Sequence, residues 1–223
     1  MKIILYFIIG STIGSFITLV IQRRDVNESI VMPRSHCNYC MTTLKWYDLV
    51  PVISYLLLNG RCRYCRSTIS KSTIINEVIF GLLFMIIIFK PMNLFIFSSM
   101  LLMTLLAIID YQKLMVPTIV IIVMFLNNLM YYFIFNDGNI IQLSLIIGTY
   151  LLTQLLNPFV LKMGAGDIDV IFILSLIIGF KINIILIIIA AVLALFFFAL
   201  KRVNRIPFIP FLAISYLCCL LWI

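Results

Sequence analysis

Residues 182–200 read INIILIIIAAVLALFFFAL. This stretch has no charged residue and is close to the roughly 20 apolar residues that an α-helix needs to cross a bilayer. Dividing the rest of the chain wherever charge, Gly, Pro or Asn interrupts an apolar run gives about eight such candidate helices in total. They cover residues 3–22, 72–89, 92–109, 116–135, 140–156, 168–180, 182–200 and 206–223. The sequence therefore predicts an all-α polytopic membrane protein.

The composition of the chain excludes a soluble enzyme. Of its 223 residues, 64% are hydrophobic and 11% are charged, and the mean hydropathy is +1.21. A soluble domain of this length could not bury so many Ile, Leu and Phe side chains in one core. Sixteen Lys and Arg against eight Asp and Glu give a net charge of +8. In a membrane protein this excess indicates topology, and we expect no nucleic acid among the partners.

One polar island, residues 23–71, interrupts the apolar pattern. It contains four of the six cysteines and half of the basic residues. We therefore expect a first transmembrane helix at residues 1–22, a cytoplasmic four-cysteine domain at 23–71 and a seven-helix membrane domain at 72–223. No small-residue cleavage site follows the first apolar run, so we expect a permanent helix rather than a signal peptide. No internal repeat is evident beyond the apolar runs.

The basic residues predict the orientation in the membrane. If the island is cytoplasmic, that side receives thirteen of the sixteen Lys and Arg residues, and the other side receives only Lys2, Lys90 and Lys181. Cytoplasmic loops of membrane proteins carry an excess of Lys and Arg. The count therefore predicts that both chain termini are extracytoplasmic.

Four acidic residues lie at membrane segments, where an ionisable side chain is costly and is a functional candidate by default. They are Glu77, Asp110, Asp167 and Asp169. Asp110 ends the third helix and Asp167 opens the sixth, both on the predicted cytoplasmic side. About 13 helical residues separate Asp167 from the outer loop, or roughly 20 Å against a hydrocarbon core of roughly 30 Å. Asp167 is therefore expected below the membrane surface, with residues 158–163 dipping into the bilayer.

Two carboxylates brought together at that depth can share one proton, which is the arrangement of an aspartic protease. One carboxylate takes a proton from the attacking water, and the protonated partner polarises the scissile carbonyl. Gly164 and Gly166 lack a Cβ and would let a substrate backbone approach Asp167. The sole histidine, His36, lies in the polar island, so a Ser-His-Asp triad at membrane depth would lack its base.

Each acidic residue also has a simpler interpretation. A single Asp at a helix end is commonly an N-cap or an interfacial charge, and only the occurrence of two on one side favours catalysis. Asp169, two residues beyond Asp167, would point to a different helix face and is at most a neighbour of the pair. Glu77 either supports the pair through a hydrogen bond or forms an ion pair with a basic residue such as Lys71.

The cysteines of the island form two Cys-x-x-Cys pairs with 21 residues between them. This spacing is typical of a four-thiolate zinc ribbon, and about 50 residues of low apolar content need such a staple to fold. Disulfides or reduced free thiols are the alternatives, and a cytoplasmic location disfavours disulfides. The predicted structural zinc ligands are Cys37, Cys40, Cys62 and Cys65.

These features occur together with several short motifs in a fixed order along nearly the whole chain. The motifs are Gly14-Ser15-Phe16, Leu44-Lys45-Trp46-Tyr47-Asp48-Leu49-Val50-Pro51, Ser54-Tyr55-Leu56, Gly60-Arg61-Cys62, Glu77, Ile109-Asp110, Val116-Pro117, Gly164-Ala165-Gly166-Asp167 and Ile206-Pro207-Phe208-Ile209-Pro210-Phe211-Leu212. In this order the chain resembles the type IV prepilin leader peptidases, which are membrane aspartic proteases of the Gly-x-Gly-Asp type.

The resemblance implies an enzyme of the bacterial cell membrane that removes the short basic leader from prepilins or pilin-like pseudopilins at the cytoplasmic face. Asp110 and Asp167 would be its catalytic pair, with no metal in the peptidase site. Many members of the family also N-methylate the new amino terminus with S-adenosylmethionine. No Gly-rich fingerprint for this methyl donor is present in the sequence, so methyl transfer rests on the resemblance alone.

The chain departs from the family pattern at two positions. The family commonly has a Lys where this chain has Asp169, and often has an acidic or amide residue where this chain has Thr118. A further carboxylate beside the pair would change the local electrostatics or the substrate preference. The competing class is a proton- or cation-coupled transporter that uses Asp110, Asp167 and Glu77, but that class does not account for the cysteine island.

Overall fold

The computed structural model describes residues 2–26, 28–136, 139–157, 163–201 and 206–222, apart from the side chain of Asp25. The predicted dip of residues 158–163 falls almost entirely outside these residues, as do the basic residues Lys162, Arg202 and Arg205. Within the described part the chain is helical and contains no strand, and its β-type pairing consists of two isolated bridges.

Eight α-helices and one 3₁₀ turn follow each other through the described residues. They are α1 (Lys2–Asp25), the 3₁₀ turn Trp46–Leu49, α2 (Ile53–Leu57), α3 (Lys71–Phe89), α4 (Leu94–Lys113), α5 (Thr118–Phe135), α6 (Ile140–Leu156), α7 (Ala165–Lys201) and α8 (Ile209–Trp222). Five of them, α1, α3, α4, α5 and α7, are long and apolar enough to cross a membrane, and α6 and α8 are shorter apolar helices. The predicted all-helical membrane architecture is confirmed.

Helix α7 contains the predicted sixth and seventh helices. The two halves meet at Gly179, whose backbone has φ 77° and ψ 163°. Only glycine adopts such a conformation without strain, so the helix breaks at this residue. Asn183, in the second half, donates a hydrogen bond of 3.1 Å to the carbonyl oxygen of Ile171 in the first half. The long apolar stretch is therefore two helical segments joined at a glycine.

The chain divides into two compact units, Met1–Pro91 and Met92–Ile223. In the first unit, called unit 1 below, α1 packs on α3. The contact is close because α1 presents Gly10 and Gly14, spaced as in a small-xxx-small motif. A Cβ at Gly14 would lie 2.7 Å from the carbonyl oxygen of Asn76, and a Cβ at Gly10 would collide with the carbonyl oxygen of Phe80.

In the second unit, unit 2, α7 packs against α5, α6 and α8, and α4 packs against α5 and α8. Two asparagine side chains of α5 form hydrogen bonds to neighbouring helices. The amide of Asn128 donates to the carbonyl oxygen of Ile173 on α7 at 2.9 Å, and that of Asn127 donates to the carbonyl oxygen of Phe95 on α4 at 2.9 Å. Polar side chains of this kind link transmembrane helices because the hydrocarbon offers them no other partner.

Candidate functional site

Asp110 lies in the last turn of α4 and is 6% exposed. Its Oδ2 accepts a hydrogen bond of 3.2 Å from the backbone N–H of Ile209, the first residue of α8. The next residue, Pro210, has no N–H, and the N–H groups of Phe211 and Leu212 already bond the carbonyl oxygen of Phe208. Asp110 thus accepts the backbone donor that opens α8, where the helix dipole also favours a negative charge.

Asp167 lies in the first turn of α7 and is partly buried. Its backbone N–H bonds the carbonyl oxygen of Gly164 at 3.0 Å, and its carboxylate turns back over that glycine. A Cβ at Gly164 would lie only 3.0 Å from Oδ2 of Asp167. A Cβ at Gly166 would lie 2.9 Å from Cγ2 of Val116, in the segment between α4 and α5. Close packing therefore explains why a residue without a Cβ is present at both positions, in addition to the predicted approach of substrate.

The structure brings the two predicted carboxylates near each other. The charge of Asp110 acts electrostatically on Asp167, and both groups are withdrawn from water. The two residues belong to different helices, Asp110 to the last turn of α4 and Asp167 to the first turn of α7. Near the start of α7, Gly166 leaves room for the side chain of Val116 from the α4–α5 segment. Two neighbouring carboxyl groups in a poorly hydrated site can hold one proton between them.

Asp169 faces another helix. Its Oδ1 accepts a hydrogen bond of 2.8 Å from the hydroxyl of Tyr150 and one of 3.3 Å from the amide of Gln154, both on α6. Asn157, just beyond α6, bonds both the N–H of Met163, at 2.8 Å, and its carbonyl oxygen, at 3.1 Å. Met163, before the Gly164–Asp167 turn, and Asp169, after it, are thus both hydrogen-bonded to side chains in or just beyond α6.

Glu77 lies in unit 1, on α3, and is 5% exposed. Its carboxylate accepts a hydrogen bond of 2.7 Å from the backbone N–H of Val52, which precedes α2. Val52 has φ 61°, a left-handed conformation that is unfavourable for a β-branched residue. Among the described residues Lys71 makes no ion pair with Glu77. The contact in the structure therefore ties α3 to the polar island.

The four island cysteines form a cluster whose sulfur atoms all lie within 4.8 Å of one another. The Sγ atoms of Cys37 and Cys65, from different pairs, are 3.8 Å apart. Tetrahedral coordination with Zn–S bonds of about 2.3 Å places sulfurs about 3.8 Å apart. The cluster could therefore hold a metal ion, and its donor set and spacing suit zinc.

The two cysteine pairs belong to an internal repeat that the sequence analysis missed. Residues 36–44, HCNYCMTTL, match residues 61–69, RCRYCRSTI, with an offset of 25. Each copy closes with one antiparallel bridge, His36 to Thr43 and Arg61 to Thr68. In each copy the residue after the second cysteine, Met41 or Arg66, has positive φ. The island thus contains two copies of one cysteine knuckle, whose four sulfurs lie together.

The surroundings of the thiols differ between the cysteines. Burial alone would raise the pKa of the Cys37 thiol, but backbone hydrogen bonds from Cys40 and Tyr39 outweigh it and lower the pKa to about 6. The Ser67 hydroxyl lowers the pKa of the Cys65 thiol. Burial raises the pKa of the Cys62 thiol. Cys37 and Cys65 therefore favour the thiolate, the form that binds metals.

Asp48, between the two knuckles, holds the second one in place. Its side chain is 3% exposed and accepts a hydrogen bond and ion pair of 2.7 Å from Nε of Arg63. The hydroxyl of Tyr64 bonds the same carboxylate at 3.3 Å. The guanidinium of Arg63 also lies 5.0 Å from the centroid of the Tyr47 ring. One buried carboxylate therefore orients the Arg-Tyr dipeptide between Cys62 and Cys65, a role that the sequence pattern did not indicate.

Comparison with known proteins finds similarity to prepilin-processing enzymes. The family profile of the bacterial peptidase A24 N-terminal domain matches residues 8–91. A prepilin leader peptidase/N-methyltransferase of Myxococcus xanthus is 44% identical over 78 residues, which cover 35% of this chain and 23% of the relative. A type 4 prepilin-like proteins leader peptide-processing enzyme of Escherichia coli is 34% identical over 95 residues, covering 34% of this chain and 35% of the relative.

These two alignments span well under half of the relatives' own lengths. A third relative, the prepilin leader peptidase/N-methyltransferase of Vibrio cholerae, is 27% identical and aligns over 96% of this chain and 94% of its own length. No solved structure matches the chain. The resemblance to the prepilin leader peptidases is therefore confirmed, and within it residues 8–91 match the profile of the bacterial peptidase A24 N-terminal domain.

Proposed function

We propose that this protein is an aspartic endopeptidase of the bacterial cell membrane that removes the basic leader from prepilins or pseudopilins at the cytoplasmic face. The observation that carries the proposal is that two carboxyl groups withdrawn from water, Asp110 in the last turn of α4 and Asp167 in the first turn of α7, lie close enough to influence each other electrostatically. A transporter would also use membrane carboxylates, but the relatives' names point to prepilin processing.

The proposed reaction needs only the two carboxyl groups and water. One carboxylate accepts a proton from water as the water oxygen attacks the scissile carbonyl carbon. The other carboxyl group donates its proton to the carbonyl oxygen, which gives a tetrahedral diol. Collapse of the diol breaks the C–N bond, and the leaving amine takes up a proton. No metal takes part in these steps.

The substrate suits a site of this kind. A prepilin has a positively charged leader followed by an apolar helix, as the resemblance implies. Its helix would lie in the bilayer, so that the bond between leader and helix meets the cytoplasmic boundary. We place the island and both carboxylates on that side and both termini outside, following the excess of Lys and Arg.

The test is a membrane cleavage assay on a prepilin-type substrate, with leader removal followed on a gel. We expect Asp110→Asn and Asp167→Asn each to lower the rate by ~10³-fold or more at equal expression, because each removes a proton-transfer group. Asp169→Asn is the matched control, since Asp169 faces Tyr150 and Gln154 on α6, and it should retain most activity. Cleavage by both of the first two variants would refute the mechanism.

For the cysteine cluster we propose a structural zinc ion held by Cys37, Cys40, Cys62 and Cys65. The support is the set of sulfur distances and the paired knuckles. Zinc would join the two copies of the repeat and stabilise the fold of the island. Metal analysis of the purified chain tests this: a zinc-free, folded protein would contradict it.

N-methylation of the new amino terminus is a second proposed activity, favoured by the relatives' names. We assign none of the described residues to S-adenosylmethionine, and we derive no step through it. Mass spectrometry of the cleaved product, with and without the methyl donor, tests this activity separately from cleavage. A product that keeps an unmodified amino terminus in both cases would rule it out.

A further inference from the structure

Unit 1 contains a groove of about 730 Å³ between α1 and the polar island. We call it the α1–island groove. Its wall on the α1 side includes Phe16 and Leu19, and its wall on the island side includes Arg34, Lys45 and Trp46. This volume lies in the range of small-molecule sites, roughly 300 to 1,000 Å³.

The two walls differ in chemistry. Phe16 and Leu19 belong to an apolar helix long enough to cross a membrane, and they precede Arg23 by about 10 Å and about 6 Å along the helix axis. Arg34 and Lys45 are exposed cations. No acidic residue is among the described residues that line the groove. A molecule that filled the groove would therefore need an apolar part and an anionic part.

A buried arginine builds the wall that carries Arg34. The guanidinium of Arg23 donates hydrogen bonds to the carbonyl oxygens of Ser29, Ile30 and Pro33, at 2.8, 3.0 and 2.6 Å. These bonds fold the segment after α1 back onto the end of that helix. Arg23 is thereby engaged with the backbone, whereas Arg34 and Lys45 are exposed, with the ammonium group of Lys45 5.9 Å from the centroid of the Tyr47 ring.

Trp46 lies at the rim of the same groove with 79% of its surface exposed. Tryptophan is enriched at the boundary between hydrocarbon and headgroups, where its ring is apolar and its N–H is hydrated. Phe16 is also exposed, at 58%. Protein surfaces that contact anionic lipids typically combine exposed aromatic side chains with exposed Lys and Arg residues.

From these observations we propose that the α1–island groove binds an anionic phospholipid, with the headgroup phosphate at Arg34 and Lys45 and an acyl chain along Phe16 and Leu19. The cations argue against the basic leader of the substrate as the occupant, because like charges would repel. The bound lipid would hold the island at the membrane surface. This inference does not depend on the proposed peptidase activity.

The test uses the full chain in vesicles with Trp222→Phe as the parent, because Trp46 is then the sole tryptophan. Quenching of its fluorescence is compared between brominated phosphatidylglycerol and brominated phosphatidylcholine at equal mole fraction. We expect stronger quenching by the anionic lipid. In the double variant Arg34→Gln/Lys45→Gln this preference should fall roughly tenfold.

The matched control is Arg66→Gln/Lys71→Gln, which removes the same charge from exposed residues of unit 1 that do not line the groove. It should keep the preference, so that equal losses in both double variants would overturn the proposal. Equal quenching of the parent by the two lipids would also overturn it, whether or not the double variants fold. Quenching by aqueous iodide alone would show that Trp46 is in water and would overturn the proposal, as would a response only to S-adenosylmethionine or to a prepilin peptide.

Discussion

The two units of the molecule achieve close packing by different means. In unit 1, α1 and α3 approach through glycines, so that backbone meets backbone, and the island is held by four thiols and one buried carboxylate. In unit 2, amide and hydroxyl side chains link the helices, and the two candidate catalytic carboxylates occupy helix ends. The stability of unit 1 should therefore depend on the close packing of its glycines and on metal binding by its thiols. Each single hydrogen bond should contribute only modestly to the stability of unit 2.

This difference predicts that substitutions in unit 1 mainly change stability, whereas substitutions at the carboxylates of unit 2 mainly change proteolytic activity. Changes in the cysteines or glycines of unit 1 should unfold part of the protein. Changes in the polar links of unit 2 should cost little stability, except at Asp110 and Asp167, where activity should be lost.

The largest effect is expected from Cys62→Ser. Cys62 is buried, and its loss would leave three sulfurs for the metal and disrupt one of the two knuckles. Removal of a ligand from a structural zinc site commonly abolishes the fold that the metal supports. We expect zinc to be lost and the island to become sensitive to protease, as followed by metal analysis and limited proteolysis.

Cys218→Ser is the control for that change, because Cys218 is an exposed cysteine in α8, outside the cluster. It should leave the zinc content unchanged. If Cys62→Ser retained zinc and protease resistance, the cluster would not be a structural centre. If it folded but lost leader cleavage, the predicted difference between the two units would be wrong.

The second effect is expected from Gly10→Leu. A side chain at this position would collide with the carbonyl group of Phe80 and with Phe84, so α1 and α3 would have to separate. Overpacking against backbone should lower the free energy of unfolding by roughly 3 kcal/mol. Thermal unfolding in detergent measures the loss. Gly148→Leu is the control, because no atom lies within 4 Å of a Cβ built there, and an equal loss in both variants would refute the close contact.

The glycine contact shows where prediction from sequence ends. The helices were predictable because apolar length alone defines a membrane span, and the predicted bounds 140–156 match α6 residue for residue. The break at Gly179 lies one residue inside the predicted end of the sixth helix at residue 180, where the charge of Lys181 interrupts the apolar run. The pairing of α1 with α3, by contrast, depends on which face each helix presents, and an apolar run does not encode that.

Sequence analysis of the sites was uneven for related reasons. The Cys-x-x-Cys spacing predicted a common cluster because metal ligation imposes a fixed local geometry. The repeat around it escaped notice because only some of its residues are identical. The hydrogen bond from the backbone N–H of Val52 to Glu77 joins residues 25 positions apart. Because its donor is a backbone group, no pattern of side chains predicts it.

A smaller effect is expected from Tyr150→Phe. The Tyr150 hydroxyl donates to Asp169 at 2.8 Å and accepts a hydrogen bond of 3.3 Å from Gln154. Removal of the hydroxyl should cost about 1 kcal/mol, because one bond to a carboxylate is lost while Gln154 still reaches Asp169. Thermal unfolding measures the cost, and leader cleavage should stay within a few-fold of wild type. A loss of cleavage as large as that of Asp167→Asn would place Asp169 inside the catalytic machinery instead.

A similarly small effect on stability is expected from Asn127→Ala. The Asn127 amide bonds the Phe95 carbonyl oxygen at 2.9 Å, and its Oδ1 accepts from Ser98 at 2.7 Å, both on α4. Single hydrogen bonds between transmembrane helices contribute about 0.6 kcal/mol on average. Because both bonds are lost together, we expect a loss of about 1 kcal/mol, still well below that for Gly10→Leu, measured by the same unfolding experiment. A loss as large as that of the glycine variant would mean that unit 2 depends on its polar links as strongly as unit 1 depends on close backbone packing.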